Sequence, residues 1–182
     1  MAAVRWIHYA YLAHLARPRG VRKLYRLAKR LKVCRIVEVG VSDLARSVRL
    51  IRVAQRYAGG ATIAYAGLDW FDIRSADQPR LLLKDAYREL RATGASVRLV
   101  PGNPAQSLAG AANSLLHTDL LLVAPTVSDD SLAPYLSFVP RMLDTSSVVL
   151  RETCDRDGEP VFRQLSSDEL ARQAGLTAAR AA

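Results

Sequence analysis

The first 37 residues contain no aspartate or glutamate, against ten lysines and arginines. Glu38 is the first carboxylate of the chain, and the residues from there on carry 16 basic and 17 acidic groups. The net charge of +9 therefore belongs to one segment, "ARPRGVRKLYRLAKRLKVCR". Apolar runs long enough to cross a membrane, roughly 18 residues or more, are missing. Cysteine is scarce: Cys34 and Cys154 form no CxxC and no Cys/His cluster. A disulfide framework and a thiolate zinc site are thereby excluded, and two buried thiols in a reducing, cytoplasmic setting are expected. The three histidines, His8, His14 and His117, share no metal-ligand spacing, so no metal is expected. Serine is absent before Ser42, which argues against reading the Arg-rich start as a transit peptide. No internal repeat is present.

What is there has globular composition, half apolar and about a quarter charged. "VRWIHYAYLAHLA" predicts a short helix ended by Pro18 and Gly20. "VRKLYRLAKRLK" predicts a second, with Val21, Leu24, Leu27 and Leu31 at helical spacing. Its basic face reads either as a solvated surface or as a contact to phosphate or another anionic surface, nucleic acid through residues 17–35 being the candidate partner. "CRIVEVG" predicts a buried strand, followed by a helix that Ser42 or Asp43 caps. Arg46, Arg49, Arg52 and Arg56 predict a solvent-facing stripe on that helix. Strands are expected again at "ATIAYAGLDWFD", "ASVRLVPGNP", "TDLLLVAP" and "SSVVLRETC", alternating with helices. "DRDGEP" predicts a hairpin into "VFRQL", and "SSDELARQAG" a last capped helix.

This alternation predicts an α/β, Rossmann-like doubly wound, mostly parallel sheet behind an N-terminal basic helical segment. Ligands bind such sheets at the carboxyl ends of the strands. The residues expected to matter thus lie in 40–43, 69–72, 101–104 and 124–128.

Those exit loops resemble the class I S-adenosylmethionine-dependent methyltransferases over roughly residues 30–152. "EVG" matches the acid, one residue and glycine that end the family's first strand. The resemblance implies S-adenosylmethionine as cofactor and a methyl acceptor that the sequence does not identify. It implies that Glu38 orders the cofactor loop and that Gly40 lets backbone approach the methionine part. Asp69 would accept from the ribose hydroxyls, Trp70 would border the adenine, and Gly102-Asn103 would stand where the family has Gly-Asp at the adenine amino group. It divides the chain into a basic helical segment (1–32), a methyltransferase-like α/β domain (33–176) and a tail (177–182). The sequence also departs from the family. Ser42, Leu44 and Ala45 replace further glycines, so Ser42 or Asp43 would have to supply polar contacts. Ala124-Pro125-Thr126 follows the fourth strand where the metal-using O-methyltransferases place acids. The C-terminal end is shortened to about one strand and one helix.

Three readings follow: a methyltransferase divergent in its cofactor loop, a catalytically inactive binding or interaction module of the same fold, or a nucleic-acid-associated protein using the basic segment 17–35, which is compatible with either of the others. Each candidate has a plainer role beside it. Glu38 can serve backbone amides, Asp69 can serve a turn, and Asn103 can cap the next helix. No residue stands out as a general base. Association with a second copy of the chain stays open. Tyr65 and Tyr87 are expected to be packing residues.

Overall fold

The computed structural model describes residue 11 and residues 19–180, with side chains described through residue 174. The expected first helix lies almost entirely outside the described residues. The chain runs α1 (Arg19–Leu31), β1 (Arg35–Val39), α2 (Leu44–Tyr57), β2 (Ala64–Asp69), α3 (Leu83–Arg91), β3 (Ser96–Pro101) and α4 (Pro104–Ala111). It continues with β4 (Thr118–Val123), the four-residue α5 (Asp129–Leu132), a 3-10 stretch (Ala133–Met142), β5 (Leu143–Cys154), β6 (Pro160–Leu165) and α6 (Ser167–Arg180).

The strands form one six-stranded sheet of order β3-β2-β1-β4-β5-β6. The first five run parallel, and β6 returns antiparallel to β5. This is the doubly wound sheet that the alternating pattern predicts, with the expected hairpin at its end. Its switch point lies between β1 and β4. Apart from Glu38 and Thr118, the buried residues of both are apolar on both faces, as suits strands covered on two sides. Ile36 and Leu120 pack against α1 and α2 on one face, and Val37, Val39 and Leu121 pack against α4, the 3-10 stretch and α6 on the other.

Local chemistry sets the ends of the elements. Asp43 caps α2, its side chain accepting from the Arg46 amide. Ser166 and Glu169 form a reciprocal box at the start of α6: the Glu169 amide donates to the Ser166 hydroxyl, and the Ser166 amide to the Glu169 carboxylate. Ser128 caps α5, its side chain accepting from the Ser131 amide.

Four expectations are corrected. Cys154 is exposed and Cys34 only half-buried, because both sit at strand ends. Tyr87 is exposed, since α3 covers the edge strand β3. Arg46 leaves the solvent stripe: it is 3 % exposed, drawn inward by Glu152 of β5. The basic α1 is not merely a solvated helix ahead of the domain. Its Val21, Leu24, Tyr25 and Ala28 are buried in the main core, while its charged face stays outside.

Candidate functional site

Parallel strands deliver their carboxyl ends to one rim, and four exit loops meet there. Gly40 ends β1 with φ +79, a left-handed conformation that favours glycine. Its amide donates to the Leu68 carbonyl. The side that glycine leaves bare is already covered. A Cβ there would lie 2.8 Å from the Ala124 Cβ, 3.1 Å from Val127 Cγ2 and 3.2 Å from Thr126 Oγ1. The β4 exit loop thus packs directly on the β1 exit loop.

Asp69 ends β2 and is buried. Its Oδ2 accepts from the Val41 amide at 2.6 Å, and its Oδ1 from the Phe71 amide at 3.0 Å. Arg74 closes the set from a 3-10 turn (Phe71–Ile73) and the residue after it. Its Nε donates to Oδ1 at 2.7 Å and its Nη2 to Oδ2 at 2.8 Å, a bidentate pair. The same guanidinium donates to the carbonyls of Val41 and Pro79. Asp69 therefore holds the β1 loop and its own loop together. Phe71, at φ +47, takes a conformation unusual for a bulky residue. Its buried ring against Val41 and Ala86, and its bond to Asp69, hold it there.

Two further arginines tie this rim. Arg151, from β5, donates to the carbonyls of Ala124 and Val127 and pairs with Asp129. Arg46 donates to Glu152 Oε1 at 2.5 Å and to the Ser42 hydroxyl at 2.7 Å, and Ser42 donates to Glu152 Oε2 at 2.9 Å. Ser42 and Asp43 are thus engaged with α2 and β5.

Glu38 is completely buried in β1. Its Oε2 accepts from Ser47 at 2.7 Å and from the Tyr65 hydroxyl at 3.0 Å, while Oε1 has no hydrogen-bond partner. Burial pushes its carboxyl above the ordinary range, against the Arg46 charge and the two hydroxyl donors, which pull it down. Glu38 joins β1 to α2 and β2. Asn103 caps α4, its Oδ1 accepting from the Ala105 and Gln106 amides, so that its amide nitrogen is the polar group left over. Gly102, at φ +125, turns the chain between β3 and that cap.

Asp69, Trp70, Asn103, Pro104, Thr126 and Val127 do converge, around a cavity of about 70 Å³. Trp70 stands at its border, 36 % exposed. Sites for drug-sized ligands usually offer about 300–1,000 Å³. S-adenosylmethionine needs a free acid for its ribose, bare backbone at the glycine and room for an adenosine. In this arrangement Asp69 is engaged by two amides and Arg74 and the cavity beside it is small, so a ribose at Asp69 would take the place of Arg74. The expected residues therefore divide. Asp69, Trp70 and Asn103 meet at one cavity, and Gly40 lies beneath the same β4 loop. Ser42 and Glu38 face partners inside the fold.

The sequence reading missed Arg74, Arg151 and the Arg46–Glu152 pair. A signal existed for two of them: "VVLRET" puts Arg151 and Glu152 side by side after an apolar run, and buried charges must be paired.

Comparison by sequence finds no matching family model and no matching curated protein. Comparison by structure finds many similar folds. The O-methyltransferase TomG from Streptomyces achromogenes, in complex with S-adenosylmethionine, superposes with a TM-score of 0.55 at 16 % identity, over 97 % of this chain and 78 % of that one. The methyltransferase PaMTH1 from Podospora anserina, bound to S-adenosylhomocysteine, gives 0.51 at 16 % identity, over 97 % and 74 %. The chain has the class I S-adenosylmethionine-dependent methyltransferase fold, as the exit loops suggest. S-adenosylmethionine and its demethylated product are the ligands that these neighbours carry.

Proposed function

We propose that this chain uses the methyltransferase fold as a binding module and does not transfer methyl groups. One observation carries this reading: both carboxyl oxygens of Asp69 are consumed by Val41, Phe71 and Arg74. A ribose could reach them only by displacing a bidentate, buried arginine. The covered Gly40 and the small cavity agree with it. Ala124-Pro125-Thr126, after β4, offers neither an acid nor a base to an acceptor.

A second reading keeps the cofactor. In its favour, Gly40, Asp69 and Asn103 keep the order and the strand-end positions of a cofactor site, in a fold whose neighbours TomG and PaMTH1 carry S-adenosyl ligands. On that reading the chain is a methyltransferase of unassigned acceptor, and Arg74 must swing away from Asp69 before the ligand enters.

Thermal melting with and without S-adenosylhomocysteine separates the two, on the wild type and on Arg74→Gln. A ligand present at 100 times its dissociation constant stabilises the folded state by about 2.7 kcal/mol. The binding-module reading expects unchanged melting for both proteins. A ligand-dependent rise in the wild type would establish the cofactor reading, and a rise confined to Arg74→Gln would make Arg74 the gate.

A further inference from the structure

Between Arg19 and Phe71 the chain has twelve lysines and arginines and three acids, Glu38, Asp43 and Asp69. Glu38 and Asp69 are buried, which leaves Asp43, the cap of α2, as the exposed acid of this stretch. The fold gathers the excess on one face. α1 and α2 pack side by side on the sheet. Lys29 of α1 lies over the ring of Tyr57, the last residue of α2, at 5.1 Å. Arg49 and Arg52 stand exposed on α2.

The other flank of α1 borders a groove. Lys23, Arg26 and Arg30 stand along it, at i, i+3 and i+7 on the helix, hence one stripe spanning roughly 10 Å at 1.5 Å per residue. Leu24, Leu27, Leu150 and Phe162 supply its apolar lining and Gln164 of β6 a neutral amide, with no acid among them. The groove measures about 420 Å³, several times the cavity beside Asp69. Its Phe162 ring is half-buried and carries the Arg46 guanidinium at 5.3 Å. A row of cations beside an aromatic floor is what a single-stranded polynucleotide meets in proteins that bind it: phosphates lie along the cations, and bases rest on rings.

We propose that the groove between α1 and β6 binds single-stranded nucleic acid, with Lys23, Arg26 and Arg30 on the phosphates and Phe162 beneath a base. The cations of the α1–α2 face extend the field that draws the strand in. An anionic membrane surface fits less well. The apolar stripe of α1, Val21, Leu24, Tyr25 and Ala28, is spent in the core and has nothing to insert into a bilayer.

The test is fluorescence anisotropy of the full chain with labelled 15-nucleotide oligouridine and oligothymidine at 50 and 200 mM salt. Anionic vesicles of phosphatidylserine in phosphatidylcholine run in parallel by co-sedimentation. Three phosphate contacts would give about a 20-fold loss of affinity between the two salt concentrations. Lys23→Glu/Arg26→Glu/Arg30→Glu should weaken binding at least tenfold and flatten the salt dependence. Arg80→Glu/Arg141→Glu/Arg172→Glu changes net charge equally at exposed sites elsewhere and should bind nearly as the wild type does. Phe162→Leu should cost about fivefold or more at constant salt. If the triple variant melts early, Arg26→Glu alone replaces it, with at least a threefold loss expected. Equal losses in the two triple variants, no salt-dependent binding by the wild type, or vesicles retained while oligonucleotides are not would each overturn the proposal. This groove is separate from the crevice at Asp69, so the outcome is independent of whether an S-adenosyl ligand binds.

Discussion

Asp69 meets two amides and a bidentate guanidinium, and this residue decides how the rim behaves. Its position at the end of β2 was legible in "GLDWF"; its partner was not, because Arg74 lies beyond a turn whose path only the fold fixes. Glu38 shows the same division. That a carboxyl in an apolar strand must be satisfied is readable from sequence, but that Ser47 and Tyr65 satisfy it is not. Burial raises the Glu38 carboxyl above its ordinary value of 4.5. The folded protein then binds more protons than the unfolded chain above about that pH, so Glu38 makes stability fall as pH rises toward its folded value. Glu38→Gln should flatten this decline, seen as a smaller change of melting temperature between pH 5 and 8 than in the wild type. An unaltered profile would show that Glu38 does not titrate there. The Arg46–Glu152 pair is buried on both sides. Glu152→Ala would strand the guanidinium, and urea denaturation should register a loss of about 3–5 kcal/mol. A loss below 1 kcal/mol would place the pair in solvent.

At the scale of elements, α1 is the piece whose role changed most between sequence and structure. Its helical period and its basic face are plain in "VRKLYRLAKRLK". Its docking on β6 is not, since β6 lies some 140 residues on. The contact is close at Gly20, where an added Cβ would fall 1.8 Å from the Pro160 carbonyl oxygen. Helix propensity alone favours alanine over glycine by about 1 kcal/mol. Here the backbone carbonyl cannot yield, so Gly20→Ala should instead destabilise by about 1–3 kcal/mol in urea titration, as overpacking does. A stabilised Gly20→Ala would mean that α1 does not dock on β6. The caps of α2 and α6 and the hairpin glycine Gly158 were all readable, because each rests on near neighbours in the chain.

For the whole molecule, the parallel sheet follows from apolar strands alternating with helices, and its order carries the exit loops to one rim. The position of a ligand crevice is a property of that topology and could be read in advance. Whether the crevice is open depends on contacts between loops far apart in sequence: Ala124, Thr126 and Val127 on Gly40, Arg74 on Asp69, and Arg151 on the β4 exit loop. None of these leaves a spacing signature. Charge follows the opposite course. The acid-free start was evident at once, and Lys23, Arg26, Lys29 and Arg30 of α1 stand exposed. The central claim is that the crevice is closed by its own side chains. Titration calorimetry of the folded wild type with S-adenosylmethionine and S-adenosylhomocysteine tests it most directly. The account predicts no binding heat from either ligand up to millimolar concentration. Micromolar binding to the wild type that disappears in Asp69→Ala would contradict it.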